Sequence, residues 1–147
     1  MNRAMTIVVY TSVLTVCLGL DYPRNGPCKG DYDGPYKESE VKEYTAMANC
    51  TEGRFDWNFP MGATLFRMQS SVYDDFQFCF QDLYGSQLAG YWKIYDVTGE
   101  KIVQIAKPTR RGQVVCRQSQ NGRVGLFLQS TEKKTYAAAF AYKLESK

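Results

Sequence analysis

Residues 54–59 read Arg-Phe-Asp-Trp-Asn-Phe, and aromatic side chains alternate with polar ones along the stretch. Successive side chains of a β-strand point to opposite faces of the sheet, so this period of two places Phe55, Trp57 and Phe59 on one face. Three aromatic rings on one face indicate a buried core surface more than a platform for stacking a ligand. The stretch therefore predicts a β-strand that borders an aromatic core.

The same alternation recurs further along the chain. Phenylalanines at every second position of residues 76–80 predict another strand, and residues 136–144 place larger side chains on one face and mainly alanines on the other. The alanines would also suit a helix. Residues 38–48 could likewise form a strand or a helix, because Val41, Tyr44 and Ala48 fit a helical stripe.

Turn residues divide the remaining apolar runs into hairpins. Thr98-Gly99 lies between residues 91–97 and 101–106, where we expect the glycine to need a positive φ, and Asn121-Gly122 lies between residues 112–117 and 123–130. About nine short strands, with turns roughly every 8–12 residues, predict an all-β fold, an antiparallel β-sandwich. A chain of 147 residues has room for one such domain.

The first twenty residues predict an export signal. Arg3 precedes an uncharged run from Thr6 to Leu20, and the small residues Cys17 and Gly19 suit cleavage after Gly19. The run falls short of the roughly 20 apolar residues of a membrane span, so we expect no stable membrane insertion. We therefore predict a signal peptide at 1–19 and a single secreted domain at 20–147.

Removal of the signal leaves an even number of cysteines: Cys28, Cys50, Cys79 and Cys116. An even set in an exported chain predicts two disulfides, and the spacing lacks the close pairs typical of a zinc site. Spacing alone leaves every pairing of the four cysteines open.

Composition argues against most catalytic and metal chemistry. The chain has no histidine, which excludes Ser-His-Asp and Cys-His relays and imidazole ligands. A net charge of +3 without a basic run does not predict nucleic-acid binding. We expect no catalytic residue, cofactor or metal. Asp31, Asp33, Asp74 and Asp75 are the carboxylates that could surround calcium or serve a hydrolase, but they match no specific calcium-binding pattern, and solvated loops explain them better.

Three further residues are candidates for modification or recognition. Asn49-Cys50-Thr51 is an acceptor sequence for N-glycosylation. Trp92 and Tyr95 fall on opposite faces of their predicted strand, so we expect one of them at the surface, where it would anchor a protein partner. A place in the core is the alternative for each.

Several segments together resemble one known family. Residues 50–65, CTEGRFDWNFPMGATL, resemble the segment C-x-E/A-G-x-x-x-W-x-Y/F-P-x-G-A-L in the N-terminal domain of meteorin and meteorin-like proteins. The strand of Cys79, the Cys116 turn and three further segments are similar to that domain in the same order: AGYWKIYDVTGE (89–100), GLFLQST (125–131) and FAYKL (140–144). The resemblance extends from Cys28 to Glu145.

The resemblance implies a CUB-like β-sandwich with bridges Cys28–Cys50 and Cys79–Cys116. It also implies a secreted, non-enzymatic factor, neurotrophic or hormone-like, that acts on glia, neurons, vessels or metabolic tissue through a cell-surface receptor. Family members continue into a cysteine-rich netrin-type domain, so these residues represent either a one-domain relative or the first part of such a protein. The alternative function is a non-signalling extracellular CUB-like module that binds protein or glycan.

Overall fold

The computed structural model describes residues 27–58, 61–83, 90–106, 113–132 and 136–147, and all regular structure in these ranges is β. The predicted signal peptide and Phe59 lie outside them. The strands follow one another along the chain as β1 (Lys29–Asp33), β2 (Val41–Thr45), β3 (Glu52–Asn58), β4 (Ala63–Gln69), β5 (Phe76–Asp82), β6 (Trp92–Asp96), β7 (Val103–Gln104), β8 (Val115–Gln118), β9 (Arg123–Ser130) and β10 (Ala137–Ser146).

The strands form two five-stranded sheets that pack face to face. Sheet A has the order β1-β3-β10-β5-β8, and sheet B has the order β2-β4-β9-β6-β7. The all-β sandwich predicted from the sequence is confirmed. Two pairs, β1 with β3 and β2 with β4, are parallel and depart from the antiparallel prediction. The first four strands alternate between the sheets, so β1 and β3 meet in sheet A and β2 and β4 meet in sheet B. The chain reverses direction at each crossing, and the two strands of each pair therefore run the same way.

The core is an aromatic layer between the sheets. Its largest fully buried side chains come from both sheets, and the Trp92 and Phe140 rings meet across the interface with centroids 5.0 Å apart. Phe66 and Phe78 make a second contact of this kind at 5.8 Å. Burial of each such side chain contributes about 1.5–3 kcal/mol. The core position predicted for Trp57 is confirmed, since its side chain is wholly buried.

Both segments that could have been helical are strands. Residues 41–45 form β2, and β10 lies in the middle of sheet A, paired with β3 on one side and β5 on the other. Pairing on both sides outweighs the helix propensity of the alanines, which is worth less than about 1 kcal/mol per residue. Ala139 and Ala141 are buried on the outer face of this sheet.

The strands on either side of Thr98-Gly99 pair as predicted, β6 with β7. The pairing predicted around Asn121-Gly122 was wrong, because β8 pairs with β5 in sheet A while β9 pairs with β4 and β6 in sheet B, and the tight turn connects the two sheets. Asn121 and Gly122 have φ values of 52° and 67°, the two positive values of a type I′ turn. Gly99 is not among the described residues with positive φ, so that expectation was wrong. Its missing side chain instead makes room for Gln120, whose amide nitrogen would lie 2.9 Å from an added Cβ. Strand β7 is also shorter than residues 101–106.

Two disulfides staple sheet A. Cys28–Cys50 joins the residue before β1 to the loop before β3, with Cα atoms 5.6 Å apart. Cys79–Cys116 links two directly paired residues of β5 and β8. These are the pairs that the family resemblance implied.

Candidate functional site

Trp92 and Tyr95, the two predicted partner-binding residues, occupy opposite faces of β6. Trp92 is 0% exposed, so its assignment as a surface anchor was wrong. Tyr95 is partly exposed on the outer face of sheet B, with its ring centroid 6.2 Å from that of Phe127. The sequence indicates which of the two residues is buried. Trp92 shares its face of the strand with apolar Ile94, whereas Tyr95 shares its face with charged Lys93.

Tyr95 belongs to a row of apolar side chains that crosses sheet B. Leu65 pairs with Phe127 and Phe127 pairs with Tyr95, in the register of β4, β9 and β6. All three are partly exposed on the outer face, and we call them the apolar row. Glu43 and Gln104 end it on the two outermost strands. Neither Leu65 nor Phe127 was predicted as a site residue, although each lies between two buried positions of its strand: Thr64 and Phe66 for Leu65, and Leu126 and Leu128 for Phe127.

Two exposed aliphatic side chains lie at the edge of sheet B, although Val103 pairs with Asp96 and therefore faces away from the side of Tyr95. Ile102 is 73% exposed and Val103 is 52% exposed, and β7 pairs only with β6. The far side of an edge strand presents backbone groups without a partner strand. Contiguous exposed apolar side chains on a folded domain are typical of an interaction site.

A groove of about 660 Å³ lies beside the apolar row on the same face. Gly125 lines it, and among the described residues its charged lining side chains are Glu43, Arg67 and Arg123. Arg67 Nε is 2.9 Å from Glu43 Oε1. Arg123 is exposed and has no ion-pair partner among the described residues. The groove therefore carries an excess positive charge.

The carboxylates considered for calcium or catalysis do not form a centre. Asp31 bonds to Lys29 at 3.1 Å, and this hydrogen bond lowers the pKa of Asp31. Asp75 accepts a hydrogen bond from the Ser119 hydroxyl at 3.1 Å, and Asp74 is exposed. Within the described ranges no group of three or more His, Cys, Asp or Glu residues could hold a metal ion. Asp33 is exposed as well.

Between the sheets, the described side chains leave little room for a ligand. The space between the sheets, lined by core aromatic and aliphatic side chains, has a volume of about 20 Å³. That is the size of roughly one water molecule. The surface of sheet B is therefore the better candidate, and a surface of this kind can bind a macromolecule.

The predicted glycosylation site lies on the surface. Asn49 is exposed in the turn between β2 and β3, where the Cys50 amide donates a hydrogen bond to the Met47 carbonyl oxygen at 3.0 Å. Exposure is compatible with an attached glycan. Glycosylation of Asn49 remains a prediction. In the part of the chain that the structure describes, no helix is long and apolar enough to cross a membrane.

No protein-family model and no curated protein matches the sequence. Similar solved structures include the CUB1-EGF-CUB2 domain of human MASP-1/3, with 12% identity, a TM-score of 0.43, and coverage of 70% of this chain and 41% of that one. The CUB1-EGF-CUB2 domains of rat MASP-1 are 12% identical to this chain, with a TM-score of 0.42 and coverage of 72% of this chain and 43% of that one. The pre-peptidase C-terminal domain of a Bacillus anthracis collagenase is 5% identical, with a TM-score of 0.41 and coverage of 72% of this chain and 95% of that one.

The chain spans about two fifths of the two MASP structures. Both contain CUB domains, the fold that the family resemblance implied. Likeness at these TM-scores carries no argument about what this chain does, and its membership of the meteorin family stays a prediction.

Proposed function

We propose that this chain is a secreted, meteorin-like signalling factor that acts by binding a cell-surface receptor through the outer face of sheet B. The observation that carries the proposal is the apolar row, Leu65, Phe127 and Tyr95, lying partly exposed and in register across the middle of that face. The two disulfides support an extracellular setting, where such bonds persist.

The composition of the face fits protein recognition. Interface centres are enriched in aromatic residues and arginine, and a few such anchors supply most of the binding energy. Tyr95 and Phe127 provide adjacent rings, and Arg67 borders them in the next row of the sheet.

A binding experiment on cells tests the proposal. Labelled full-length chain, purified from a secreting host, is titrated onto glial and neuronal cultures, and saturable binding is expected. Phe127→Gln should raise Kd at least about tenfold, because it removes the central ring of the apolar row. Gln129→Ala is the matched control on the same strand and face, and it should change Kd by less than about twofold.

The result also separates a signalling factor from a scaffold. A dose-dependent cellular response that disappears in Phe127→Gln supports signalling. Saturable binding without any response supports the non-signalling extracellular module instead. Absence of saturable binding, or equal loss in the Phe127 and Gln129 variants, contradicts the proposed binding face.

A further inference from the structure

We infer that the partner is a protein that presents an extended acidic segment to sheet B, with a carboxylate at Arg123 and an apolar side chain on the apolar row. This inference rests on the proposed function, because it assumes that the outer face of sheet B binds a protein. It adds the chemistry of the partner and the spacing of its two contacts.

The backbone at Arg123 is fixed by hydrogen bonds, while its charged side chain is exposed. Arg123 follows the type I′ turn directly, and its backbone exchanges two hydrogen bonds with Gln120, at 2.9 and 3.1 Å. Its side chain lines the groove, is exposed, and has no ion pair within the described residues. A fixed backbone lowers the entropy lost when the guanidinium binds an anion. Guanidinium groups pair with carboxylates through two parallel hydrogen bonds.

The wall of the groove opposite β2 is also fixed. The Gly125 amide donates to Thr98 Oγ1 at 3.1 Å, and the Thr98 amide donates to Asp96 Oδ1 at 2.9 Å. An added Cβ at Gly125 would lie 3.1 Å from Val97 Cγ2, so this position accepts only the smallest residue without a shift. Gly125 therefore contributes no side chain of its own between Arg123 and Phe127, and Val97 packs against it.

The two faces of the sandwich differ in how their arginines are paired, although each also carries an exposed lysine without an ion pair among the described residues, Lys143 on sheet A and Lys93 on sheet B. On sheet A, Lys29 and Arg54 are both occupied by carboxylates: Arg54 Nε lies 2.6 Å from Asp56 Oδ1, and Lys29 Nζ lies 3.4 Å from Asp56 Oδ2. On sheet B, Arg123 on one side of the apolar row and Lys93 on the other are exposed without an ion pair among the described residues. A partner with carboxylates therefore gains new ion pairs on sheet B.

The geometry sets a spacing. Arg123 and Phe127 lie on one strand and one face, four residues apart, which corresponds to about 14 Å at the usual rise of a strand. An extended segment laid along β9 matches this distance when its acidic and apolar residues are also about four positions apart. Both side chains then point toward sheet B, because alternate residues of an extended chain share a face.

A protein fits this face better than a sulfated glycan. Glycan polyanions are held by clusters of cations, whereas here the unpaired cations, Arg123 and Lys93, are separated by the apolar row. Leu65 and Phe127 offer an apolar surface that an aliphatic or aromatic side chain of a protein would cover.

The first test compares variants of the full chain in the cell-binding assay. Arg123→Gln should raise Kd about tenfold and reduce its dependence on salt concentration, because one charge-assisted contact is lost. Arg123→Lys, which keeps the charge, should recover part of the affinity. Lys143→Gln removes an exposed cation from the other sheet and should leave Kd within about twofold.

The second test identifies the ligand chemistry by competition. The probes are a threonine-rich synthetic peptide with Glu and Phe four residues apart, the same peptide with Gln for Glu, and a heparin hexasaccharide. The Glu peptide should displace the bound chain at roughly tenfold lower concentration than the Gln peptide, and Arg123→Gln should abolish that preference. Equal potency of the two peptides overturns the inference. More potent, Arg123-dependent competition by heparin also overturns it, in favour of a glycan.

The two proposals can fail separately. If Phe127→Gln abolishes cell binding while Arg123→Gln leaves both Kd and its salt dependence unchanged, the acidic partner is wrong and the binding face stands. If neither variant differs from the unmodified chain, the binding face itself is wrong.

Discussion

Tyr136 is a buried residue through which alkaline pH acts on this fold. Its hydroxyl donates a hydrogen bond to the Tyr91 carbonyl oxygen at 3.0 Å, and burial raises the pKa of Tyr136 to about 12. Tyrosine in an unfolded chain titrates near pH 10. The folded state therefore holds this proton more tightly, and the resulting stabilisation is complete below pH 10 and lost as pH rises toward 12. Burial raises the pKa of Tyr142 as well.

We predict that the free energy of unfolding is nearly constant from pH 7 to pH 9 and falls between about pH 10 and 12. Tyr136→Phe should lower stability at pH 7 by about 1 kcal/mol, through loss of the hydrogen bond, and should show a smaller fall at alkaline pH. Urea unfolding followed by circular dichroism at each pH measures both effects. An unchanged alkaline slope in the variant would contradict the assignment to Tyr136.

Asn49 carries a second prediction at the scale of single residues. The acceptor sequence contains Cys50, which is buried and bonded to Cys28 in the folded chain. Bridge formation during folding should therefore compete with glycan transfer, leaving a fraction of secreted molecules unglycosylated. The double variant Cys28→Ser/Cys50→Ser should increase occupancy at Asn49, measured by the mobility shift on enzymatic deglycosylation.

The matched control for that prediction is Cys79→Ser/Cys116→Ser. It removes the other bridge and leaves the acceptor sequence intact. If both double variants raise occupancy equally, slower folding in general is the cause and local competition at Cys50 is excluded.

At the scale of elements, β1 is an edge strand that a disulfide connects to its partner strand. It lies at the edge of sheet A and pairs only with β3, to which Cys28–Cys50 and the Lys29–Asp56 ion pair connect it. Removing the bridge by Cys28→Ser/Cys50→Ser should destabilise the chain by roughly 3 kcal/mol, the value expected for a loop of this length. Hydrogen exchange should accelerate in β1, while β10, paired on both sides, should remain protected. Equal acceleration in both strands would contradict a local role for the bridge.

Element type could be predicted from local sequence, and strand partners could not. The alternation in residues 54–58 and 76–80 follows directly from having one buried face, so β3 and β5 agree with the prediction. The parallel pairing of β1 with β3 depends on the chain crossing between sheets, which leaves no periodic signal in either strand. Asp56 alternates as an outward polar residue but is buried, because Arg54 and Lys29 fold over it.

The candidate site was predictable only in part, because it is a property of the whole sandwich. Alternation showed that Trp92 and Tyr95 face opposite ways, and the face of Trp92 and Ile94 is the more apolar one, but the contact of Tyr95 with Phe127 depends on the register of β6 and β9. The apolar row combines residues from β4, β9 and β6, and their alignment depends on register set by long-range hydrogen bonds. Arg123 likewise becomes conspicuous only once its lack of an ion pair can be seen.

The two tryptophans report on the cooperativity of the whole molecule. Trp57 lies on β3 in sheet A and Trp92 on β6 in sheet B, and both are wholly buried in the shared core. Aromatic contacts such as Trp92–Phe140 and Phe66–Phe78 join the sheets, so neither sheet can lose its partner without exposing its own inner face. We predict a single cooperative unfolding transition with both disulfides intact.

Trp57→Phe and Trp92→Phe each leave one tryptophan, in sheet B and sheet A respectively. Within each variant, the urea midpoint from tryptophan fluorescence should coincide with that from far-ultraviolet circular dichroism. The fluorescence and circular dichroism midpoints are compared within each variant and not between variants, because the two substitutions will lower stability by different amounts. If the fluorescence midpoint precedes the circular dichroism midpoint in one variant and follows it in the other, the sheets unfold separately. The outer face of sheet B would then no longer rest on a core shared by both sheets.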